Sequence, residues 1–271
     1  MESIKTPYKS VLTIAGSDSG GCAGIQADIK SISACGAFAA SVITATTAQN
    51  TQGVLDIHPI PVQHLEKQLD AVLKDIHFDS VKIGMLHSSE VIKLVFKKLR
   101  EYNIKNTVID PVMVSTSGDL LINSEAISDL QNFFPYATLI TPNKYEAEIL
   151  LDKEITLKNA HQLTRYLGKK FKTAVLLKAG DLEKSSQKME DILYEFNTDK
   201  TTSFKSSYIN TKNTHGTGCS LSSSIATFLG IGQSTHNAVK NGCQYIHQAI
   251  ALGKNKVLGS GNGPINHFGL D

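Results

Sequence analysis

The strongest chemical signal in this sequence is a glycine-flanked stretch ending in a cysteine. His215-Gly216-Thr217-Gly218-Cys219-Ser220 leads into the apolar run Leu221–Leu229, which reads as a helix. Glycines at a helix start expose backbone N–H groups, and the helix dipole adds about half a positive charge there. This suits phosphoryl oxygens. The same field favours thiolate over thiol in the first turn, so Cys219 is expected to ionise readily. A glycine-flexed turn with a threonine cap and a buried cysteine explains the same residues equally well.

Other oddities have the same double character. Gly16-Ser17-Asp18-Ser19-Gly20-Gly21-Cys22-Ala23-Gly24 follows an apolar run and opens a helix, yet fits neither the dinucleotide fingerprint nor a Walker A loop. Asp28 lies one turn further on. Asp110 directly follows a strand that Pro111 ends, so it is a cap or a carboxylate aimed at a cation. In Thr141-Pro142-Asn143-Lys144-Tyr145-Glu146, Asn143 and Glu146 share a helical face. Such oxygens suit Mg²⁺, which takes few protein groups and keeps its waters, and they equally suit a capping box. Lys178 ends a strand before Ala179-Gly180 and could meet a phosphate or simply snorkel. The nine histidines show no metal-ligand spacing, and His215 reads as a capping or packing residue. Ser117-Gly118-Asp119 reads as a mobile loop. Gly-x-Ser-x-Gly is missing, which removes the basis for a serine nucleophile.

These residues need a frame. Apolar runs at Val11–Ala15, Ala39–Thr46, Ser80–Gly84, Thr107–Asp110, Ala137–Thr141, Ala174–Lys178 and Ile192–Phe196 read as strands. Between and after them lie helical patterns at 25–35, 61–76, 88–102, 123–134, 143–151, 156–170, 218–230 and 234–252. The 61–76 pattern places Val62, Leu65, Leu69, Val72 and Leu73 on one face. Alternation of this kind predicts an α/β fold with a parallel sheet between helix layers. The polar segment 183–190 reads as a surface loop, and residues 1–271 as one domain. In such sheets ligands bind beyond the carboxyl ends of the strands, and almost every candidate above falls there.

Composition sets the outer bounds. The 271 residues are 41% hydrophobic and 19% charged, with a formal charge of +2, which fits a globular enzyme and excludes a disordered chain. No basic stripe favours nucleic acid or a membrane surface. The start lacks a signal-peptide pattern, and the best apolar run, Phe38–Ala48, is broken by Ser41, Thr44, Thr46 and Thr47. Four cysteines without a Cys-x-x-Cys pair point to a reducing cytoplasm.

Several blocks resemble the hydroxymethylpyrimidine/phosphomethylpyrimidine kinases of thiamin biosynthesis. They are Leu12–Asp18 with Ala23–Asp28, Ser41–Thr51, Lys82–Leu86, Asp110–Val114, Ile140–Asn143, Asn213–Cys219 and Gly263-Pro264. The resemblance runs in order over nearly the whole chain and implies a ribokinase-like fold that uses ATP and Mg²⁺. It would place the pyrimidine against Gly16, Asp28, Gln49, Met85 and Val112. Cys219 would be the catalytic base for the substrate hydroxymethyl, with Gly216, Thr217 and Gly218 holding the transferring phosphoryl group. Lys178 and Thr214 would contact ATP, and Asp110, Asn143 and Glu146 the metal. Relatives are often dimers, so a homodimer is expected. The chain departs from the family at Cys22 and Ala179, where glycines are usual, and at Thr116, where a lid lysine is common. A pyridoxal or pyridoxine kinase is the nearest rival, because those vitamers also carry a hydroxymethyl on a six-membered heteroaromatic ring. Gln49 favours the pyrimidine. A non-catalytic binding protein on the same scaffold is disfavoured by the candidate catalytic residues.

Overall fold

A computed structural model of the chain describes residues 6–113, 122–180 and 188–270. The expected positions Val114, Thr116, Ser117, Gly118, Asp119 and the stretch 183–187 lie outside them. The apolar runs form β1 (Ser10–Asp18), β2 (Phe38–Asn50), β4 (Ser80–Ile83), β5 (Thr107–Ile109), β6 (Leu139–Ile140) and β7 (Ala174–Leu177). These pair in parallel, in the order β2-β1-β4-β5-β6-β7. Antiparallel strands flank this parallel centre, so the sheet is mainly parallel, as the ribokinase-like resemblance implies. β3 (Gly53–Pro59) adds antiparallel to β2, and β8 (Lys188–Glu195) with β9 (Lys200–Ser207) adds antiparallel beyond β7, completing nine strands among the described residues. Lys188–Glu190 therefore belongs to a strand, not to a surface loop.

The helices are α1 (Gly24–Ala34), α2 (Val62–Asp75), α3 (Ser89–Glu101), α4 (Ser124–Phe133), α5 (Lys144–Leu151), α6 (Ala160–Phe171), α7 (Thr217–Gly230) and α8 (Thr235–Gly253). Their starts obey simple chemistry: Ser88, Asn123 and Ser234 each accept the N–H three residues on, which satisfies one orphan donor per helix. α6 begins later than the periodicity predicts, because Thr156–Asn159 close a turn first.

Strand alternation divides the core. Leu12 and Ile14 of β1 pack with Leu65, Leu69 and Val95 under α2–α6, whereas Val11 packs with Ile32, Leu221, Ile225 and Val239 under α1, α7 and α8. All these side chains are excluded from water, each worth about 1.5–3 kcal/mol of transfer. β1 lies between β2 and β4, so the chain winds outward in both directions from it. That reversal opens a crevice at the carboxyl ends of β1 and β4. Gly16 falls in the register shift between Ala15 and Ser17 there, with Gly84 and Met85 just beyond β4.

Candidate active site

Two glycine-bearing turns meet at this edge of the sheet. The first is stapled by Asp18, whose carboxylate accepts the N–H groups of Gly20, Cys22 and Ala23 at 2.8–2.9 Å. Gly24 adopts φ +56°, and a Cβ on it would lie 2.3 Å from the Gly16 carbonyl. The second turn precedes α7: Gly216 has φ +82°, and a Cβ there would sit 1.8 Å from the Cys22 carbonyl. The turns therefore touch backbone to backbone, and only glycine permits it. Cys22 itself is fully buried and outside the left-handed region, so the first turn accommodates its side chain.

Gly216 brings no side chain to cap α7. Among the described residues, no carbonyl takes the Gly218 or Cys219 N–H. Thr214 and Thr217 bond to each other across the turn. The result is a helix start open to an anion. A Cβ on Gly218 would stand 3.3 Å from Lys178 Nζ and 3.7 Å from Asp110 Oδ2, so the ends of β5 and β7 converge on the same point.

Lys178 Nζ donates to Asp110 Oδ1 at 2.7 Å and lies 3.9 Å from Glu146 Oε2. Burial opposes its charge, but the Asp110 and Glu146 carboxylates more than compensate and hold the ammonium well above its usual range. Burial pushes Glu146 up to about 7, opposed by Lys178 and reinforced by Asp110. The Asn143 N–H donates to Glu146 Oε2 at 2.8 Å, and Asn143 Oδ1 accepts the Glu146 N–H at 2.9 Å. The capping-box alternative is thus present, and it occupies the Asn143 side-chain oxygen. Among the described residues, no three His, Cys, Asp or Glu side chains form a ready metal cage. Two carboxylates beside an anion-binding turn nevertheless match what Mg²⁺ asks of a protein when phosphates and waters supply the remaining ligands.

Beneath this cluster lies a second one. Asp28 is fully buried and accepts from Thr13 Oγ1 at 2.6 Å, Ser223 Oγ at 2.7 Å and Lys82 Nζ at 2.8 and 2.9 Å. Its oxygens are engaged within the protein, so a direct contact with substrate requires that network to open. Lys82, Thr13 and Ser223 escaped the sequence reading. One signal was available, since a lysine in the fully buried strand Ser80–Ile83 demands a carboxylate.

Cys219 stands between the two clusters and corrects an expectation. Burial pushes its thiol up to about 11; Lys82 pulls the other way, while Asp28 and Asp110 add to the rise and the Gly24 N–H opposes it. The helix field alone does not decide its ionisation.

At the crevice, Met85 lies over Gly16: a Cβ on Gly16 would be 2.8 Å from the methionine Cε. Val112 is half-buried beyond β5. Gln49 lies on β2, which runs further than expected, just past a bulge at Ala48 that can re-aim its side chain. Its Nε2 is 3.1 Å from His215 Nε2, a partnership that the packing view of His215 did not foresee.

A family model described as Phosphomethylpyrimidine kinase matches residues 18–266. The chain belongs to the phosphomethylpyrimidine kinase family. It is 43% identical over 95% of its length to half (50%) of an Arabidopsis thaliana thiamine biosynthetic bifunctional enzyme. It is 41% identical over 95% of its length to a Rhizobium meliloti hydroxymethylpyrimidine/phosphomethylpyrimidine kinase, of which it covers 96%. The chain thus spans about half the length of the bifunctional relatives and nearly all of the shorter ones. A Clostridium difficile phosphomethylpyrimidine kinase structure has TM-score 0.78 and 38% identity, covering 89% of this chain and 99% of that one. A Bacillus subtilis pyridoxal kinase in complex with ADP has TM-score 0.88 and 30% identity, with 96% and 98% covered. The ribokinase-like fold of these kinases is the fold of this family member.

Proposed function

We propose that the protein uses ATP to phosphorylate 4-amino-5-hydroxymethyl-2-methylpyrimidine to its monophosphate, and then the monophosphate to the diphosphate, in thiamin biosynthesis. The observation that carries this is the convergence of the uncapped Gly216–Cys219 helix start with Lys178, Asp110 and Glu146, in a chain of this family.

The geometry and the family resemblance together support the following roles. The Gly216–Cys219 amides hold the transferring phosphoryl group, with Lys178 and Thr214 on the phosphates of ATP. Asp110 and Glu146 hold Mg²⁺, and Asn143 orients Glu146 through the capping box. Bound there, Mg²⁺ offsets charge on the phosphate oxygens. Gly16, Gln49, Met85 and Val112 enclose the pyrimidine, and the Asp28–Lys82 pair forms the floor. In the first step Cys219, acting from the thiolate form that the neighbouring Lys82 ammonium favours, takes the hydroxymethyl proton as that oxygen bonds to the γ-phosphorus. The bond from phosphorus to the β,γ-bridging oxygen breaks, and ADP leaves with that oxygen. In the second step a phosphate oxygen attacks and needs no base. Positioning and charge stabilisation suffice for such transfers.

A single kinase domain spanning 1–271, acting in a reducing cytoplasm, accords with four free cysteines. Among the described residues no helix is long and apolar enough to cross a membrane. The exposed edge strand β3, with Val54, Leu55 and Ile57 uncovered, supports a homodimer, which light scattering would test.

A second reading, activity on vitamin B6 vitamers, is favoured by the likeness to the pyridoxal kinase. A coupled ADP-release assay with Mg·ATP decides. Both pyrimidines should turn over well above pyridoxine and pyridoxal; turnover of the vitamers alone would overturn the thiamin-pathway assignment.

A further inference from the structure

Gln49 is tied down along its main chain, where Ser19 Oγ both accepts its N–H at 2.9 Å and donates to its carbonyl at 2.8 Å. Its side-chain carboxamide has more freedom. Oε1 lies 3.0 Å from Thr47 Oγ1, Nε2 lies 3.1 Å from His215 Nε2, and the same Thr47 hydroxyl is 3.0 Å from the Ser17 carbonyl. Thr47 has one hydrogen and cannot serve both acceptors.

Two arrangements satisfy this chain. In the first, Thr47 donates to Gln49 Oε1, Gln49 donates to the lone pair on His215 Nε2, and the imidazole hydrogen is on Nδ1. In the second the carboxamide is turned through 180°: Thr47 donates to Ser17, Gln49 donates to Thr47, and His215 Nε2–H donates to Gln49. The two differ only in hydrogen positions and in the swap of amide O for N. His215 is 8% exposed, and its Nδ1 is buried with no partner among the described residues. Either arrangement leaves that atom unsatisfied, so nothing within the protein holds the ring in one tautomer. Whatever binds against Gln49 chooses.

An aminopyrimidine edge carries a ring-nitrogen acceptor beside an amino donor. A carboxamide reads that edge in one orientation and mismatches it in the other. We propose that His215 is a positioning residue for substrate recognition: with its hydrogen on Nδ1, the state that a bound aminopyrimidine selects, it accepts from the Gln49 carboxamide and holds it in the orientation that the aminopyrimidine reads. This rests on the reading in which Gln49 meets the pyrimidine.

The test uses the full chain with Mg·ATP in excess and hydroxymethylpyrimidine varied. His215→Phe, which keeps the ring's bulk and loses the acceptor, should raise KM about tenfold, as expected for one hydrogen bond, with kcat changed by less than about threefold. His215→Asn, which restores an acceptor, should recover most of the loss. Gln49→Met should raise KM as well, and the Gln49→Met/His215→Phe double variant should be no worse than Gln49→Met. A wild-type KM in His215→Phe, or losses that multiply in the double variant, would overturn the proposal. A wild-type KM in Gln49→Met would remove the reading of Gln49 itself, and the proposal with it. Nitrogen NMR of the wild-type imidazole tests the same point without any variant. Bound hydroxymethylpyrimidine should leave the hydrogen on Nδ1, and a complex that keeps it on Nε2 would refute the proposal.

Discussion

Lys82–Asp28 and Lys178–Asp110, the two lysine–aspartate pairs beside Cys219 among the described residues, are built from the same groups and set to opposite ends. Lys82–Asp28 has both side chains fully buried, and Asp28 receives two hydroxyls besides the ammonium. Lys178–Asp110 is partly open, with 16% of the lysine side chain exposed, and a second carboxylate, Glu146, shares the one ammonium. The closed pair balances charge one to one. The open cluster carries more carboxylate than cation and faces an uncapped helix start. A protein tolerates such imbalance where a ligand completes it. Pair chemistry alone therefore does not mark a site; an unfilled charge count and access to water do.

The sharpest test of that contrast is Cys219, which feels both clusters. Cys219→Ala should slow phosphorylation of the hydroxymethyl by about 10²–10⁴-fold, leaving phosphorylation of the monophosphate within about threefold. Equal losses in the two steps would remove the thiol from proton transfer. With its thiol near 11, alkylation of ligand-free Cys219 should keep accelerating with pH beyond neutrality and not level off at 7.

Lys178→Met should lower kcat/KM for both steps by about 10²–10³, with a smaller fall in thermal midpoint than Lys82→Met. Lys82→Met leaves Asp28 uncompensated and should cost about 3–5 kcal/mol of stability, read by urea unfolding. The reverse ranking of the two lysines would erase the distinction between floor and site.

The smallest effect concerns Glu146. Its folded value, about 7, lies above the usual ~4.3 of an unfolded glutamate. The native state therefore binds more protons across that interval, and stability contributed by this group is present below it and lost as pH rises through about 7. Glu146→Gln should flatten the fall in thermal midpoint over this range. A residual slope should remain from Asp191, which burial pushes up to about 6.

Much of this architecture was legible from residue type. Val11–Ala15 and Ala174–Leu177 are apolar on both sheet faces and announce parallel strands. Gly216, Lys178 and Asp110 stand out because their chemistry is odd at strand ends. β9 was missed because Lys200–Ser207 is mostly Thr, Ser and Lys, and β3 because its residues are largely exposed. Each is defined by its neighbour strand and not by its own pattern. The Asp28–Lys82 pair joins positions 54 apart, a proximity that only the fold creates. The Cys219 thiolate was misjudged for a related reason: a helix field can be read locally, whereas burial and two distant carboxylates cannot.

The contact of Gly216 with the Cys22 carbonyl also orders events during synthesis. The Gly16–Gly24 turn leaves the ribosome well before Gly216, the residue that packs on it, is translated. An emerging chain can form β1 and α1 and still lack the proposed phosphoryl cradle. A nascent chain that has not reached this segment has one wall of the crevice and not the other, because the Gly216–Cys219 helix start does not yet exist.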